Sequence, residues 1–296
     1  MFILKKSKIL KEIILTIASL IVLVSLIVSG VFFSQKKTYE WYIEALNMSE
    51  IIEQYSGKEV TIGILDTGLS DFMQEKLKDK IYKPYNVLSR NKNITDTIGH
   101  GTKVTSIICS EEVGIAKSAK VIPVVICDSS GRTNSNYLAE GIRYATSKGA
   151  NIINISMGSF SYNEDVKKSV EEAVQKGVII VAAAGDYNEE RILYPARYDN
   201  VISVVAQSKL KRLYKNANYS NDVDACIPGE DIEVISLDGK EIMEGSSIAT
   251  ALYTSIIALY FEKYREIKSY NEIYEYLDSI NFDTNQFINI KNLFEM

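Results

Sequence analysis

Histidine is almost absent from this chain, with one in 296 residues. It lies in the motif Gly99-His100-Gly101-Thr102. Any reaction that needs an imidazole as general base must therefore use His100. The unperturbed pKa of histidine lies nearest neutrality, which makes it the usual base for a hydroxyl nucleophile. A lone histidine is more often a packed or exposed residue than a catalyst, so its surroundings must decide.

Cysteine is also rare, and cationic charge is in deficit. The three cysteines, Cys109, Cys127 and Cys226, are too far apart for a CxxC metal site, and an odd number leaves at least one thiol unpaired. Each lies in an apolar stretch, which predicts small buried side chains. We predict no metal and no cofactor. The formal net charge of −5, without a dense basic patch beyond the first dozen residues, excludes nucleic acid as the main partner.

A long uncharged, mostly apolar run covers residues 13–33, enough for a helix to span a ~30 Å hydrocarbon core. Lysine is denser before this run than just after it, with Lys5, Lys6, Lys8 and Lys11 against Lys36 and Lys37. The positive-inside bias then places residues 1–12 in the cytoplasm and everything after residue 34 outside the cell. A cleaved signal peptide is the alternative, but its apolar region is usually only ~7–15 residues. We expect a single-pass anchor at the cell membrane.

A short connector over residues 34–54, with a possible helix at 41–48, precedes a chain that alternates apolar β-rich runs with periodic helical segments. Repeats, low-complexity tracts and proline-rich linkers are absent, which favours one α/β domain over 55–296. Near-continuous apolar strands separated by helices predict a parallel sheet covered on both faces. The predicted strands are 60–65, 120–126, 151–155, 178–183 and 201–206, and the predicted helices are 136–148 and 165–176, with Gly149 and Gly177 as stops. Nothing in the sequence indicates an oligomeric state.

Polar residues collect where the predicted strands end. Asp66-Thr67-Gly68 follows the first strand, Ser156-Met157-Gly158 the third and Gly185-Asp186 the fourth. Ligands bind at the carboxyl ends of the strands in such sheets, so these segments predict one cleft.

The segment Gly245-Ser246-Ser247 leads into a long apolar stretch ending near Tyr260. A serine at the start of a helix there lies beside free N–H groups that stabilise developing negative charge, although it could equally be a helix cap. Asp66 could likewise be a turn former or a cap. Together with His100, these residues supply the parts of a nucleophile, base and orienter triad.

The motifs resemble those of the subtilisin-like serine peptidases, in the same order along the chain. The resemblance is carried by Val60 to Gly68, by Gly99 to Thr102, by Gly245 to Thr250 and by supporting segments such as Ile153 to Gly158 and Tyr194-Pro195-Ala196, and it covers nearly all of 55–296. It implies a three-layer α/β fold with a parallel sheet, here preceded by one transmembrane helix. It also implies Ser247 as nucleophile, His100 as general base and then acid, and Asp66 as the residue that orients the imidazole.

The resemblance further implies how a peptide or protein substrate binds. An extended substrate would lie beside Ser130-Gly131-Arg132 on one side and Ser156-Met157-Gly158 on the other, a form of β-augmentation. The S1 walls would come from Ser156, Met157 and Gly158 and from Ala183, Ala184 and Gly185, with Leu193 near the base.

The chain departs from this family at Asp186, where the family has an asparagine that donates to the oxyanion. An ionised carboxylate only accepts hydrogen bonds and repels an oxyanion. Asp186 could be protonated, could rotate away and leave the task to the Ser247 N–H, or Asn188 could substitute.

The chain departs from the family in two further places. The segment Cys109 to Val113 is too short for the family's calcium loop, and too few residues separate Phe33 from Val60 to fold a large prodomain.

The favoured hypothesis is a membrane-anchored endopeptidase that cleaves exported peptides or proteins at the outer face. A pseudopeptidase that binds peptides without cutting them is the alternative, motivated by Asp186. A third hypothesis takes Leu65-Asp66-Thr67-Gly68 as an aspartic-peptidase motif in a β-rich dimer, which the α/β pattern disfavours. Glu189 and Glu190 could select a basic P1 residue, although acids in surface loops are usually only solvated.

Overall fold

The computed structural model describes residues 16–17, 19–21, 25, 41–264 and 288–294. The chain divides into two compact units, residues 1–41 and 42–296. In the first unit, residues 16–17, 19–21 and 25 are helical, and the rest of the predicted anchor 13–33 lies outside the described residues. In the part of the chain that is described, no helix combines the length and the apolar character needed to cross a membrane.

Seven parallel strands form the central sheet of the second unit, in the order β2-β3-β1-β4-β5-β6-β7. They are β1 (Thr61–Asp66), β2 (Tyr85–Asn86), β3 (Lys120–Val125), β4 (Ile152–Ile155), β5 (Ile179–Ala183), β6 (Val201–Gln207) and β7 (Ala225–Pro228). The five predicted strands are confirmed and form its contiguous centre. The sequence did not predict β2 and β7, at the two edges, or the antiparallel hairpin of β8 (Ile232–Ile235) and β9 (Lys240–Met243).

In the described residues, eight helices surround the sheet, and two layers of them cover its faces. They are α1 (Trp41–Ala45), α2 (Ser49–Gln54), α3 (Asp71–Lys76), α4 (His100–Cys109), α5 (Ser135–Ser147), α6 (Glu164–Val174), α7 (Ser246–Lys263) and α8 (Ile290–Phe294). Helices α5 and α6 pack on one face, in a core with Leu65, Ile153 and Ile180, while α7 packs on β4 to β7 and against α4. Because both faces are covered, strands such as β5 and β6 are buried along their whole length. The predicted three-layer α/β architecture is confirmed.

The two predicted amphipathic helices are confirmed as α5 and α6. Each begins at an asparagine whose side chain accepts backbone N–H bonds, Asn134 for α5 and Asn163 for α6. Each ends before a glycine in the left-handed region, Gly149 at φ +82° and Gly177 at φ +78°, as the stop signals predicted.

The folded unit begins earlier than the predicted boundary at residue 55. Residues 41–54 form α1 and α2, and the side chains of Tyr42, Leu46 and Met48 are fully buried. Glu262 at the end of α7 accepts the backbone N–H groups of the next segment, from Ser56 and Gly57 at 2.7 Å each and from Lys58 at 3.1 Å. The predicted connector therefore includes part of the core.

Candidate active site

Asp66 is the last residue of β1, and its side chain is 1% exposed. One carboxylate oxygen accepts the Thr67 N–H at 2.7 Å. The two oxygens lie 2.8 and 3.0 Å from Nδ1 of His100, at the start of α4. The structure thus joins the predicted orienter to the predicted base.

Glycines allow the start of α4 to approach the end of β1 this closely. A Cβ on Gly101 would lie 2.4 Å from the Gly68 carbonyl oxygen and 3.1 Å from Cβ of Asp66. The Gly101 N–H donates to Oγ1 of Thr67 at 2.8 Å. Any larger residue at position 101 would push the imidazole away from the carboxylate.

Asp96 holds the first turn of α4 and was not predicted from the sequence. Its buried carboxylate accepts the Gly99 N–H at 2.7 Å, the Thr102 N–H at 3.0 Å and the Thr102 hydroxyl at 2.8 Å. Burial raises the pKa of Asp96, but these hydrogen bonds outweigh it and leave the pKa below its usual value. Asp96 lies four positions before His100 and the N-cap position is Gly99, so the usual capping pattern does not identify Asp96.

The His100 side chain is 26% exposed. The negative charge of Asp66 raises the pKa of His100 above its ordinary value, and burial opposes this shift only in part. The imidazole is therefore more basic than a free histidine, and its Nδ1–H has an acceptor that fixes the ring. These are the properties of an oriented general base.

Ser247 is the second residue of α7, at the carboxyl edge of the sheet. Its hydroxyl donates to the Ser156 carbonyl oxygen at 2.9 Å, and the Ser156 hydroxyl donates to the Ser247 carbonyl oxygen at 3.1 Å. The Ser247 hydroxyl is thus directed to the residue that follows β4, and the described residues show no hydrogen bond between this hydroxyl and His100. Because Ser247 is in the first turn, its backbone N–H has no intrahelical acceptor and is available to an anion.

Asp186 caps the same helix through the neighbouring serine. Its carboxylate accepts the Ser246 N–H at 2.9 and 3.0 Å and the Ser246 hydroxyl at 2.8 Å. Burial raises the pKa of Asp186, while the bonds from Ser246 act in the opposite direction. Asn188, the suggested substitute donor, is exposed, and its own N–H donates to the Asn216 carbonyl oxygen.

A cavity of about 890 Å³ opens beside Ser247. Six of the seven residues predicted to bind substrate line it together with Asp186 and Ser247, namely Gly131, Ser156, Met157, Gly158, Gly185 and Leu193. Ala184 does not line it, because this residue is fully buried and its carbonyl oxygen accepts bonds from the Leu193 N–H and Asn218 Nδ2, each at 3.0 Å. The buried Asn218 was not predicted, although it fixes the turn that carries Asp186.

Glu189 and Glu190 do not belong to the described residues that line this cavity. Both are exposed; Glu189 lies 3.8 Å from Arg191, and Glu190 lines a separate cavity of about 470 Å³. Neither carboxylate lines the cavity, so neither supports the suggested preference for a basic P1 residue. Within the described ranges, no three histidine, cysteine, aspartate or glutamate residues are grouped so that they could hold a metal ion.

A family profile matches most of the chain. The profile of the Subtilase family matches residues 57–284. The chain belongs to the subtilase family. The aspartic-peptidase hypothesis is wrong, since it required a β-rich domain in place of this parallel α/β fold.

Two bacterial subtilases are similar in sequence. The cell wall-associated protease of Bacillus subtilis (strain 168) is 32% identical over 239 residues, which are 76% of this chain and 26% of that protein. The thermophilic serine proteinase of Bacillus sp. (strain AK1) is 32% identical over 218 residues, 71% of this chain and 53% of that protein. The chain thus spans about a quarter and about half of the length of these relatives.

A solved structure agrees in fold. A cold adapted subtilisin-like serine proteinase superposes with a TM-score of 0.71 at 24% sequence identity, covering 79% of this chain and 88% of that one. At this identity the similarity establishes the subtilase fold alone.

Proposed function

We propose that this subtilase is a serine endopeptidase in which Ser247 is the nucleophile, His100 the base and Asp66 the residue that orients the base. The observation that carries the proposal is the buried Asp66 carboxylate at 2.8 Å from Nδ1 of the only histidine. A second supporting fact is the position of Ser247 in the first turn of α7, in the cavity that the predicted substrate segments line.

In the proposed reaction, an extended peptide lies between Gly131 and the segment Ser156 to Gly158. The Ser247 hydroxyl turns from the Ser156 carbonyl to Nε2 of His100, gives up its proton there and attacks the substrate carbonyl carbon. Asp66 stabilises the imidazolium that forms. His100 then protonates the leaving amine, and water releases the acyl group by the reverse sequence of proton transfers.

The oxyanion of the tetrahedral intermediate lies against the Ser247 N–H and the positive end of the α7 dipole. Asp186 supplies no donor in this proposal. Its carboxylate is held by the Ser246 N–H and hydroxyl, so its charge is partly neutralised before an oxyanion forms. This arrangement supports catalysis with fewer oxyanion donors, and therefore with slower turnover, than an asparagine at this position would give.

The proposal places the peptidase at the outer face of the cell membrane, where it would cleave exported peptides or proteins. The apolar run 13–33 and the lysines before it support this location. The test is to express the full chain in a bacterium and to compare it with a variant that starts at residue 41. We expect the full chain to remain in membranes that are washed with alkaline carbonate. We also expect its folded domain to be cleaved by protease that is added to spheroplasts. Release of the full chain into the soluble fraction would contradict the location.

The enzymatic proposal is tested by labelling the protein with a fluorophosphonate from pH 5 to 9 and by mapping cleavage of a peptide library. We expect an adduct on Ser247 and turnover, both lost in Ser247→Ala. The matched control is Ser246→Ala, which removes the neighbouring hydroxyl and must still be labelled. If wild type forms no adduct but binds peptides, it is a pseudopeptidase and the proposal fails.

A further inference from the structure

Lysines that are scattered along the sequence come together at the edge of the sheet where the strands begin. Because the strands are parallel, their first residues lie along one edge, and the proposed catalytic groups lie at the opposite edge. For β1 to β5, the first residue of each strand and the four residues before it include one acid, Glu59, and six lysines. We call these six the lysine face: Lys58, Lys83, Lys117, Lys120, Lys148 and Lys176.

The charge of the lysine face is not cancelled by the protein itself. Five of its lysines are exposed and Lys117 is partly exposed. None of the six forms an ion pair with a carboxylate in the part of the chain that the structure describes. Lysines elsewhere do form such pairs, as Lys103 does with Glu241. The nearby carboxylate of Glu111 is engaged by Lys80 and not by a lysine of this face.

Tyrosine rings lie between these lysines. The Tyr82 side chain is 40% exposed, and Nζ of Lys83 and of Lys120 lie 5.5 and 6.0 Å from the centroid of its ring. Nζ of Lys148 lies 5.1 Å from the centroid of Tyr144, whose hydroxyl donates to the Lys83 carbonyl oxygen at 3.3 Å. The two groups therefore form one continuous surface. Tyrosine and lysine together are favoured between water and hydrocarbon at a bilayer, because both have an apolar body and a polar end.

The chain enters the folded unit close to this face. The unit begins at residue 42, and Lys58 follows after two short helices. Eight residues, 34–41, separate the apolar run from the unit, and eight residues span at most roughly 30 Å when fully extended. An apolar run held in a bilayer therefore keeps the unit within reach of the lipid headgroups.

We propose that the lysine face docks on anionic phospholipid headgroups and thereby turns the cavity away from the membrane. The inference rests on the membrane location given under the proposed function. Charge complementarity selects this occupant, since each lysine near an anionic bilayer adds a favourable interaction that is lost beyond a Debye length. The exposed tyrosine adds an apolar body that suits the headgroup region.

Helix α7 determines how far docking holds the nucleophile from the membrane. Ser247 lies in its first turn, and Glu262 near its other end accepts the Lys58 N–H at 3.1 Å. An α-helix of 18 residues is about 27 Å long. Docking therefore places the nucleophile about one such helix length from the headgroups, where it meets exported chains and not peptide bonds at the bilayer surface.

The test uses the full chain in vesicles of phosphatidylcholine, either alone or mixed with phosphatidylglycerol. A fluorophore is attached to Ser118→Cys, an exposed position in the lysine face, while the three native thiols are buried. A nitroxide on the headgroups quenches this fluorophore only when the face is close to the bilayer. We expect quenching that requires phosphatidylglycerol and is relieved by salt. The matched reporter is Ser89→Cys, an exposed position that follows β2 at the opposite edge, and it should stay unquenched.

Neutralising three lysines should release the face. Lys83→Gln, Lys120→Gln and Lys148→Gln together should lower the ratio of docked to undocked protein at least about tenfold, because the contributions of the lysines to binding an anionic surface combine. Labelling of this variant by a fluorophosphonate should be unchanged, which shows that it is folded.

The control variant removes the same charge from the opposite edge of the sheet. Lys92→Gln, Arg212→Gln and Lys215→Gln replace exposed cations that follow strands β2 and β6. Together they should leave the quenching at Ser118→Cys unchanged. An equal loss in both triple variants, or equal quenching in vesicles of phosphatidylcholine alone, overturns the inference.

Failure of this inference can be distinguished from failure of the proposed location. If the full chain is recovered as a soluble protein, the location fails. Cosedimentation of that soluble protein with phosphatidylglycerol vesicles, lost in the lysine variant, then still supports the docking face. If the full chain is anchored but neither reporter is quenched, the location stands and the docking face is wrong. Tighter binding to polyglutamate than to phosphatidylglycerol vesicles would identify an acidic protein as the partner and overturn the assignment to lipid.

Discussion

At the scale of single residues, Asp186 has two opposed effects on the nucleophile. As an acceptor of the Ser246 N–H and hydroxyl it fixes the first turn of α7, and a carboxylate there interacts favourably with the helix dipole. As a negative charge near Ser247 it disfavours the oxyanion. The same side chain therefore stabilises the fold of the site and slows the proposed reaction.

Asp186→Asn separates these two effects. The amide oxygen can still accept the Ser246 N–H, while the amide nitrogen gives the site a new donor. One oxyanion donor is worth about 10²–10³ in turnover, a magnitude that comes from subtilisins themselves. We expect kcat to rise at least about tenfold and the melting temperature, measured in a Ser247→Ala background, to fall slightly.

The control for this change is Asp186→Ala, which removes the cap without adding a donor. It should cost about 1 kcal/mol of stability, as the loss of a helix cap usually does, and should not reach the kcat of the asparagine variant. A kcat of Asp186→Asn no higher than that of wild type contradicts the role given to this carboxylate.

The Asp66 and His100 pair predicts the pH dependence of the reaction. The charge of Asp66 raises the pKa of His100, and the base acts only when neutral, so activity must fall as pH drops through this raised value. In Asp66→Asn the charge is lost, the pKa of His100 falls, and the acidic limb of kcat/KM moves to lower pH. Turnover should also fall, by about 10⁴-fold, as in other triads. An acidic limb that stays in place in Asp66→Asn would rule out His100 as its origin.

At the scale of elements, the junction of β1 and α4 determines the geometry of the base. Gly101→Ala places a methyl group 2.4 Å from the Gly68 carbonyl oxygen, so the strand end and the helix start must separate. A displacement of about 1 Å costs roughly 10² in rate. We expect at least this loss in kcat, with the folded structure retained by circular dichroism.

Gly149→Ala is the control for this change. The added Cβ meets nothing within 4 Å, but the residue keeps a φ of +82°. It should therefore lower stability by roughly 1 kcal/mol and leave kcat within about twofold of wild type. A similar loss of kcat in both variants would mean that general destabilisation, and not the junction, explains the effect of Gly101→Ala.

The elements that the sequence predicted are those with a strong local signal. Central strands such as β5 are continuous apolar runs, and α5 and α6 carry a period, a cap and a glycine stop. Edge strand β2 has two residues and offers no pattern to detect. The burial of α1 is likewise invisible locally, because it depends on a partner surface distant in the chain.

The same distinction applies to the site. Single motifs predicted Asp66, His100 and Ser247, since each lies at a strand end or a helix start. The bonds of Asp186 to Ser246, of Ser247 to Ser156 and of Asn218 to Ala184 join residues 34 to 91 positions apart in the chain. Their geometry follows from the packing of whole elements, so sequence reasoning could name Asp186, Ser156 and Ser247 but neither their partners nor Asn218.

At the scale of the whole molecule, the core contains all three cysteines as free thiols. The prediction that they are small buried side chains is confirmed. Burial raises the pKa of Cys109, Cys127 and Cys226 to about 12 each. Cys127 is the most exposed of them, at 5%, and its Sγ lies 3.4 Å from Sδ of Met157 in the wall of the cavity.

These pKa values predict that the folded protein resists thiol reagents. Only the thiolate reacts, and at pH 8 a thiol with a pKa of about 12 is ionised in roughly one molecule in 10⁴. Ellman's reagent should therefore detect no thiol in the native protein within an hour and three thiols in 6 M guanidinium chloride. Peptidase activity should be unchanged by iodoacetamide, because none of the proposed catalytic groups is a thiol. Fast reaction of one thiol in the native state, abolished in Cys127→Ala, would contradict this prediction. It would mean that Cys127 becomes accessible through the wall of the cavity and that its contact with Met157 does not persist in solution.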